Sequence, residues 1–208
     1  YLWCRNAWAP KPIGCAFMAL EEWCFSELDR GTRVDALIER IVRGNECIAI
    51  LGVAAMIALH DDTISDTVLP LVTSQRLLVA DRDRLTHDLM SSFGNFIGFN
   101  DRSDQVHIEV IRAAEARCVR KKQLEWHLQR FFMVGGEAVA SSVQVAVRGF
   151  KSQLPFQYEE DRNVEAVIED LTAQAMEFEG LVEADNYRAH RTDEPDQVAI
   201  VHVRPSAS

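Results

Sequence analysis

The residues best suited to chemistry in this chain are six cations grouped within an otherwise acidic sequence: Arg112, Arg117, Arg120, Lys121, Lys122 and Arg130. They interrupt the apolar pattern of a helical stretch, and Trp126 and His127 lie beside them. Basic side chains with neighbouring aromatic rings bind a nucleic-acid backbone or a nucleotide phosphate. The stretch around residues 112–130 therefore forms one candidate phosphate-binding face, with Arg117, Arg120, Lys121, Lys122 and Arg130 as its contacts. A solvated helix face, or ion pairing with acidic segments of the same domain, is the commoner origin of such a group.

Metal binding and hydrolysis have weaker support. The group formed by His60-Asp61-Asp62 and His87-Asp88 is the best local set of metal-ligand types, but no HExxH, CxxC or paired ExxH motif accompanies it. A nucleophile motif GxSxG is absent, and Ser141-Ser142 falls inside a helix pattern. The phosphate loops GxxxxGK[ST] and GxGxxG are absent as well. Acidic pairs such as Asp81 with Asp83 are typical of solvated faces. The sequence thus predicts no catalytic residue, cofactor or metal site.

Composition narrows the class of protein. A formal net charge of −10 argues against a protein whose main task is to bind nucleic acid or anionic lipid. Five cysteines without a CxxC pair favour a reducing, cytoplasmic location, in which Cys24, Cys47 and Cys118 act as small buried apolar residues. The longest apolar run, Cys47 to Leu59, falls short of the roughly 20 residues that a membrane helix needs.

The apolar pattern of the chain predicts helices in close succession. Val34, Leu37, Ile38, Ile41 and Val42 follow helical spacing, with Thr32 as a predicted cap and Gly44 as a predicted left-handed end. Before them, Phe17, Leu20, Cys24 and Leu28 form one face of a helix that leaves Glu21, Glu22 and Glu27 to solvent. After them, the stretch from Cys47 to Leu59 is apolar on all sides, which predicts a helix enclosed by its neighbours.

The helical pattern continues through most of the chain. One long helix is expected after Ser65, with Pro70 in its first turn, followed by an aromatic loop over Ser91 to Asn100. The interrupted apolar pattern from Asp104 to Val134 predicts either two helices or one helix with a solvated middle. Two further helices are expected around residues 139–150 and 164–178, the second capped by Asn163.

The C-terminal end contains the only predicted strand, Val198 to Val203, whose partner would be Phe156 to Glu159 or a part of a longer protein. The fold class is therefore all-α, an irregular multi-helix array or bundle of solenoid-like helix pairs, with at most one short C-terminal strand. Residues 1–188 would form a single helical domain. Residues 189–208 would form a linker and the short β segment.

The chain opens without methionine on Tyr1-Leu2-Trp3-Cys4, which favours a piece of a larger protein. Trp3, Trp8 and Trp23 are interpreted as core anchors rather than ligand platforms.

Several short strings carry a resemblance to a known class: WAPKP at 8–12, AFMALEEW at 16–23, LPLVTSQRL at 69–77, LPFQYEE at 154–160 and NYR at 186–188. Together they resemble the helical region of large bacterial P-loop ATP-binding proteins of the signalling (STAND-like) type. The resemblance implies a helical sensor or scaffold segment that serves an ATPase elsewhere in the polypeptide, in some relatives linked to defence against phage. It transfers no catalytic or nucleotide-binding residue, because the motifs that carry them are absent from these residues.

The leading functional hypothesis is a non-catalytic interaction, sensor or scaffold domain that binds a protein partner or a neighbouring domain of the same polypeptide. Nucleic-acid or nucleotide-phosphate binding through the 112–130 face is the alternative.

Overall fold

The computed structural model describes residues 11–90, 102–156, 165–191 and 198–203 of the 208-residue chain. Over these ranges the protein is mostly helical, with nine α-helices and one two-stranded antiparallel sheet, which confirms the all-α class. The chain forms two compact units, Tyr1–His127 and Leu128–Ser208. The assignment of one helical domain to residues 1–188 stays a prediction.

The first unit consists of helices joined by short turns. Its elements are α1 (Lys11–Asp29), α2 (Val34–Val42), α3 (Ala49–Ala58), α4 (Leu69–Val72), α5 (Gln75–Met90), α6 (Arg102–Ala116), a 3-10 turn (Cys118–Lys121) and the first residues of α7 (Leu124–Val134). Trp3 and Trp8, and the predicted aromatic loop over 91–100, lie outside the described residues.

The core of this unit begins with α2, which buries the predicted stripe of Val34, Leu37, Ile38 and Ile41. Full burial of such a side chain stabilises the fold by roughly 1.5–3 kcal/mol. Gly44 follows the helix with a φ of +72°, which confirms the predicted left-handed end. The predicted cap is wrong, because α2 begins after Arg33 and that position makes no side-chain capping bond.

The third helix lies at the centre of the same core. Eight of its residues are buried, from Ile50 to Ala58 with Leu51 excepted, and α3 packs against both α1 and α2. The prediction of an enclosed helix is therefore confirmed. Small side chains such as Ala54, Ala55 and Ala58, all fully buried, let the neighbouring helices approach closely.

The long helix expected after Ser65 is interrupted. Pro70 lies in the first turn of α4, as predicted, but that helix ends at Val72 and α5 begins at Gln75. The break has a local cause, since the Thr73 backbone leaves helical geometry while its Oγ1 donates to the Leu69 carbonyl at 2.8 Å.

The stretch from Asp104 to Val134 contains two helices, α6 and α7, separated by the 3-10 turn. This agrees with one of the two predicted alternatives. The turn between them is only partly solvated, since Val119 and Arg120 expose 2% and 5% of their area, whereas Cys118 and Lys121 are exposed.

The second unit packs two long helices around aromatic side chains. After α7 it contains α8 (Glu137–Arg148), a 3-10 turn (Phe150–Gln153), α9 (Glu165–Leu181), a further 3-10 turn (Ala184–Asn186) and the strands β1 (Tyr187–Arg191) and β2 (Val198–His202). Phe150 and Phe178 are fully buried and meet edge to face, with ring centroids 6.1 Å apart. The cap predicted at Asn163 lies outside the described residues.

The two strands form a hairpin that replaces the single expected strand. β1 pairs with β2, with Tyr187 opposite His202 and Arg191 opposite Val198. The expected partner segment, Phe156 to Glu159, lies outside the described residues after Phe156. Part of the predicted linker is β1. The Tyr187 hydroxyl donates to the Leu181 carbonyl at 2.7 Å, which anchors the base of the hairpin on the end of α9.

Candidate functional site

A groove between α1 and α6 in the first unit could hold another molecule. Its volume is about 520 Å³, within the range of ligand sites. Most of its walls are apolar or small side chains, with charged groups at the rim and the floor. The lining residues are Cys15, Met18, Ala19, Glu21, Glu22, Trp23, Phe25, Ser26, Val110, Ala114, Arg117 and Arg120.

The spacing of the α1 wall explains why the groove is elongated. Cys15, Ala19, Glu22 and Ser26 recur every three or four residues, so they occupy one face over three turns. That face runs for roughly 16 Å along the helix axis. From the other side, α6 contributes Val110 and Ala114. The groove is thus long enough to receive about three turns of another helix.

Two large apolar side chains line the groove and remain in contact with solvent. Trp23 is 38% exposed and Val110 is 52% exposed. The sequence-based interpretation of Trp23 as a core anchor was therefore wrong. Trp23 lies at the boundary between the polar and apolar faces of α1, between Glu22 and the buried Cys24. Its ring therefore covers the rim of the groove instead of entering the core.

The floor of the groove is a buried ion pair. Arg120 donates from Nη2 to both carboxylate oxygens of Glu21, with the Oε2 distance at 2.6 Å. Its Nη1 also approaches Asp88 at 3.5 Å. Because Glu21 is only 9% exposed, the prediction that this residue points to solvent was wrong. Its carboxylate is buried because Arg120 neutralises it.

A second guanidinium lies beneath this pair. Arg84 is 4% exposed and donates from Nε to Asp81 at 2.7 Å and from Nη1 to Asp88 at 2.9 Å. It also donates to the backbone carbonyls of Arg120, at 3.2 Å, and Lys122. Arg84 therefore holds the 3-10 turn against α5.

Asp81 completes the network. It is 1% exposed and accepts the backbone N–H of Leu124 at 2.7 Å, which caps the start of α7. Burial raises the pKa of the Asp81 carboxyl, while the Arg84 charge and the two hydrogen bonds oppose that rise. The interpretation of Asp81 and Asp83 as one solvated acidic pair was wrong for Asp81, whereas Asp83 is exposed.

Arg117 closes one side of the groove. It donates to Glu22 at 2.6 Å, and its guanidinium carbon lies 4.6 Å from the centroid of the Phe25 ring. A cation over an aromatic face contributes about 0.5–1 kcal/mol at a partly exposed site. Arg117 is thus held in place by a carboxylate and a ring of α1.

The remaining candidate phosphate contacts do not share one environment. Lys122 lies 4.0 Å from Asp62, and Lys121 is exposed on the 3-10 turn. Arg130 lies on α7 within the second unit. The alternative of ion pairing with acidic segments of the same domain therefore describes Arg117, Arg120 and Lys122. The phosphate-binding role of the five residues stays a prediction.

The cysteines differ in environment. Cys15 is exposed and lines the groove, and Cys47 and Cys118 are also exposed, contrary to the prediction for those two. Cys24 is fully buried, as predicted. Burial, together with the charges of Glu21 and Glu27, raises the pKa of the Cys24 thiol to about 12.

This contrast predicts selective thiol labelling of the native protein. At pH 8 roughly one Cys24 in ten thousand would be a thiolate, and its burial blocks access. Peptide mass spectrometry after brief treatment with a disulfide reagent should find Cys15, Cys47 and Cys118 modified and Cys24 intact. Unfolding in urea should make Cys24 react like the others. Equal native labelling of Cys24 and Cys118 would contradict the burial of Cys24.

The described residues give little support to a metal site, a serine nucleophile or a membrane-spanning helix. Within the described ranges, no group of three or more His, Cys, Asp or Glu side chains could hold a metal ion, and the His87 side chain lies outside what is described. Ser142 donates to the Ala138 carbonyl of its own helix at 2.9 Å. In the part of the chain that is described, no helix combines the length and apolar character needed to cross a membrane.

Comparison with known proteins gives no match to a family model, to a curated protein sequence or to a solved structure. The resemblance to the helical region of STAND-like ATP-binding proteins therefore stays a prediction.

Proposed function

We propose that this chain is a non-catalytic helical interaction domain that binds an amphipathic helix of a partner protein in the α1–α6 groove. The observation that carries the proposal is the three-turn groove, with Trp23 and Val110 exposed on its walls. A helix that presents apolar residues at i, i+4 and i+7 to such a groove is a common mode of peptide recognition.

The ion pairs of the floor and rim support this type of occupant. Glu21 is paired with Arg120, and Glu22 with Arg117, so the four charges of the groove compensate each other. An apolar side chain that enters the groove meets no unpaired charge among these four groups. Small side chains at Ala19 and Ala114 leave room for a helix to approach.

The proposal is tested by selection from a display library of amphipathic helical peptides with randomised faces. We expect enriched peptides to carry large apolar residues at i, i+3 or i+4, and i+7. Trp23→Ser should weaken a selected peptide at least about 10-fold, because a tryptophan that becomes buried against a partner contributes about 2 kcal/mol or more.

The matched control is Trp126→Ser, because Trp126 is 51% exposed and does not line the groove. This substitution should leave the peptide affinity unchanged. Equal binding to the Trp23→Ser variant and the unmodified protein would overturn the proposal, as would enrichment of peptides without an apolar helical face.

Phosphate binding around residues 112–130 is the second candidate, and it has less support. Arg120 is buried beneath Glu21, and Arg117 is bound to Glu22. If a phosphate backbone is bound, affinity in a gel shift should fall steeply with salt. Replacing Arg120, Lys121 and Lys122 with Glu should abolish it. Binding that survives in the triple variant would remove this candidate.

A further inference from the structure

The outer edge of β2 differs from the outer edge of β1 in its charge. Between Val198 and Val203 the sequence has no Asp, Glu, Lys or Arg. The side chains of Ile200, Val201 and Val203 are 57%, 45% and 46% exposed. β1 instead carries Arg188, His190 and Arg191, all exposed. Charged side chains on an edge strand prevent edge-to-edge pairing, so β1 is protected, whereas β2 has no charged side chain and pairs with no described strand other than β1.

The hydrogen-bond pattern shows which backbone groups of β2 point away from β1. Val203 donates its N–H to the Asn186 carbonyl at 2.7 Å, next to the pair of Tyr187 and His202. In an antiparallel ladder the N–H groups alternate in direction along the strand. Those of Val201 and Ala199 therefore face β1, and those of Val198, Ile200 and His202 face outward.

The backbone N–H and C=O groups of β2 that face away from β1 can form hydrogen bonds with the same groups of a second β2 strand. In an antiparallel pair of two β2 strands centred on Ile200, each Ile200 lies opposite Ile200 of the second copy, and each Val198 lies opposite His202. All of these positions have outward backbone groups, so each facing pair exchanges two hydrogen bonds. Opposed residues share a face of the sheet, so the two exposed Ile200 side chains meet at the two-fold axis.

We infer that the chain forms a symmetric dimer through the β2 edge, which produces a four-stranded sheet in the order β1, β2, β2, β1. The occupant of the edge is a second copy, because the outward backbone groups of β2 pair with those of the same strand and the strand brings no charged side chain against its copy. Antiparallel pairing of two β1 strands centred on Ala189 would place Arg188 opposite His190 of the second copy and bring the arginines of both copies into one sheet. A two-stranded ribbon alone is only marginally stable, and the dimer provides four strands.

Sedimentation of the full chain with two proline variants tests this inference. Ile200→Pro removes an N–H that faces outward and leaves the bonds between β1 and β2 in place. Ala189→Pro is the matched control, since Ala189 lies opposite Ile200 and its N–H faces the outer edge of β1. We expect the unmodified protein and Ala189→Pro to sediment as dimers, at twice the chain mass of 23.5 kDa. Ile200→Pro should sediment as a monomer and keep the helical circular dichroism of the unmodified protein.

Three results would overturn the inference. An unmodified protein that stays monomeric at a concentration of 100 μM excludes a second copy as the occupant, even if an extended strand of another protein binds there. A dimer that persists in Ile200→Pro excludes this edge. Loss of the dimer in both variants shows that association does not depend specifically on the outer edge of β2.

Discussion

Replacing Arg120 with Met is expected to lower the free energy of unfolding of the protein by roughly 3 kcal/mol or more. The substitution removes the cation that two carboxylates share, so Glu21 and Asp88 are left with less compensation. The side chains of these two acids are only 12% and 14% exposed, so water screens them poorly. Urea unfolding followed by circular dichroism measures the loss as a lower transition midpoint.

Lys121→Met is the matched control for this experiment. Lys121 is the next residue of the same 3-10 turn, it is exposed, and its loss should change stability by less than about 0.5 kcal/mol. A phosphate-binding surface would give a different result, with small stability changes in both variants and weaker binding in both. Equal stability of the two variants would contradict the structural role of Arg120.

A double variant separates the ion pair from the shape of the side chains. Glu21→Leu combined with Arg120→Met removes both charges and replaces them with apolar groups of similar size. We expect the combined loss of stability to be smaller than the sum of the two single losses, because neither charge is then left alone. Additive losses would show that Glu21 and Arg120 do not stabilise each other.

Replacing Phe178 with Ala is expected to destabilise the second unit by about 3–5 kcal/mol. The ring is fully buried against the edge of Phe150, and its removal leaves a cavity between α9 and the 3-10 turn that follows α8. Hydrogen exchange read by mass spectrometry should show faster exchange in α8 and α9.

Met176→Ala is the control for the cavity, because Met176 lies on the same helix and is 57% exposed. Its exchange should match that of the unmodified protein. If Phe178→Ala leaves the protection of α8 and α9 unchanged, Phe178 does not hold this core together.

The regular apolar helices could be predicted from sequence for a simple physical reason. The stripe of α2 and the apolar character of α3 follow from spacing and composition alone, and both were confirmed. Local signals also place the left-handed residue at Gly44, where φ is +72°. These features depend on neighbours in the chain, which the sequence displays directly.

The buried charges could not be predicted in this way. Asp81, Arg84 and Asp88 follow helical spacing on α5, and such a stripe of charges normally faces solvent. It is buried here because Arg84 pairs with both acids within α5 and Arg120 adds a compensating charge from a separate part of the chain. The spacing i, i+3, i+7 of opposite charges on α5 could have indicated ion pairs within that helix. It gave no sign of Glu21, the distant residue that pairs with Arg120.

The groove and the hairpin were missed because both depend on contacts between distant residues. Val110 and Trp23 meet the same groove although 87 positions, from 23 to 110, separate them in sequence. The strand partner Tyr187–Arg191 was hidden by its basic and polar composition, which favoured a linker. Tyr187 at its start, whose hydroxyl bonds to the Leu181 carbonyl, was the one local sign of an ordered segment.

A methyl NMR titration with a selected amphipathic peptide shows whether the α1–α6 groove receives a helix. Binding in the groove should make the methyl signals of Met18, Ala19, Val110 and Ala114 shift together and saturate at one peptide per chain. The exposed methyl groups of Val145 and Met176, which do not line the groove, should remain in place. Shifts at Val145 or Met176 with unmoved signals from the groove would show that the peptide binds elsewhere.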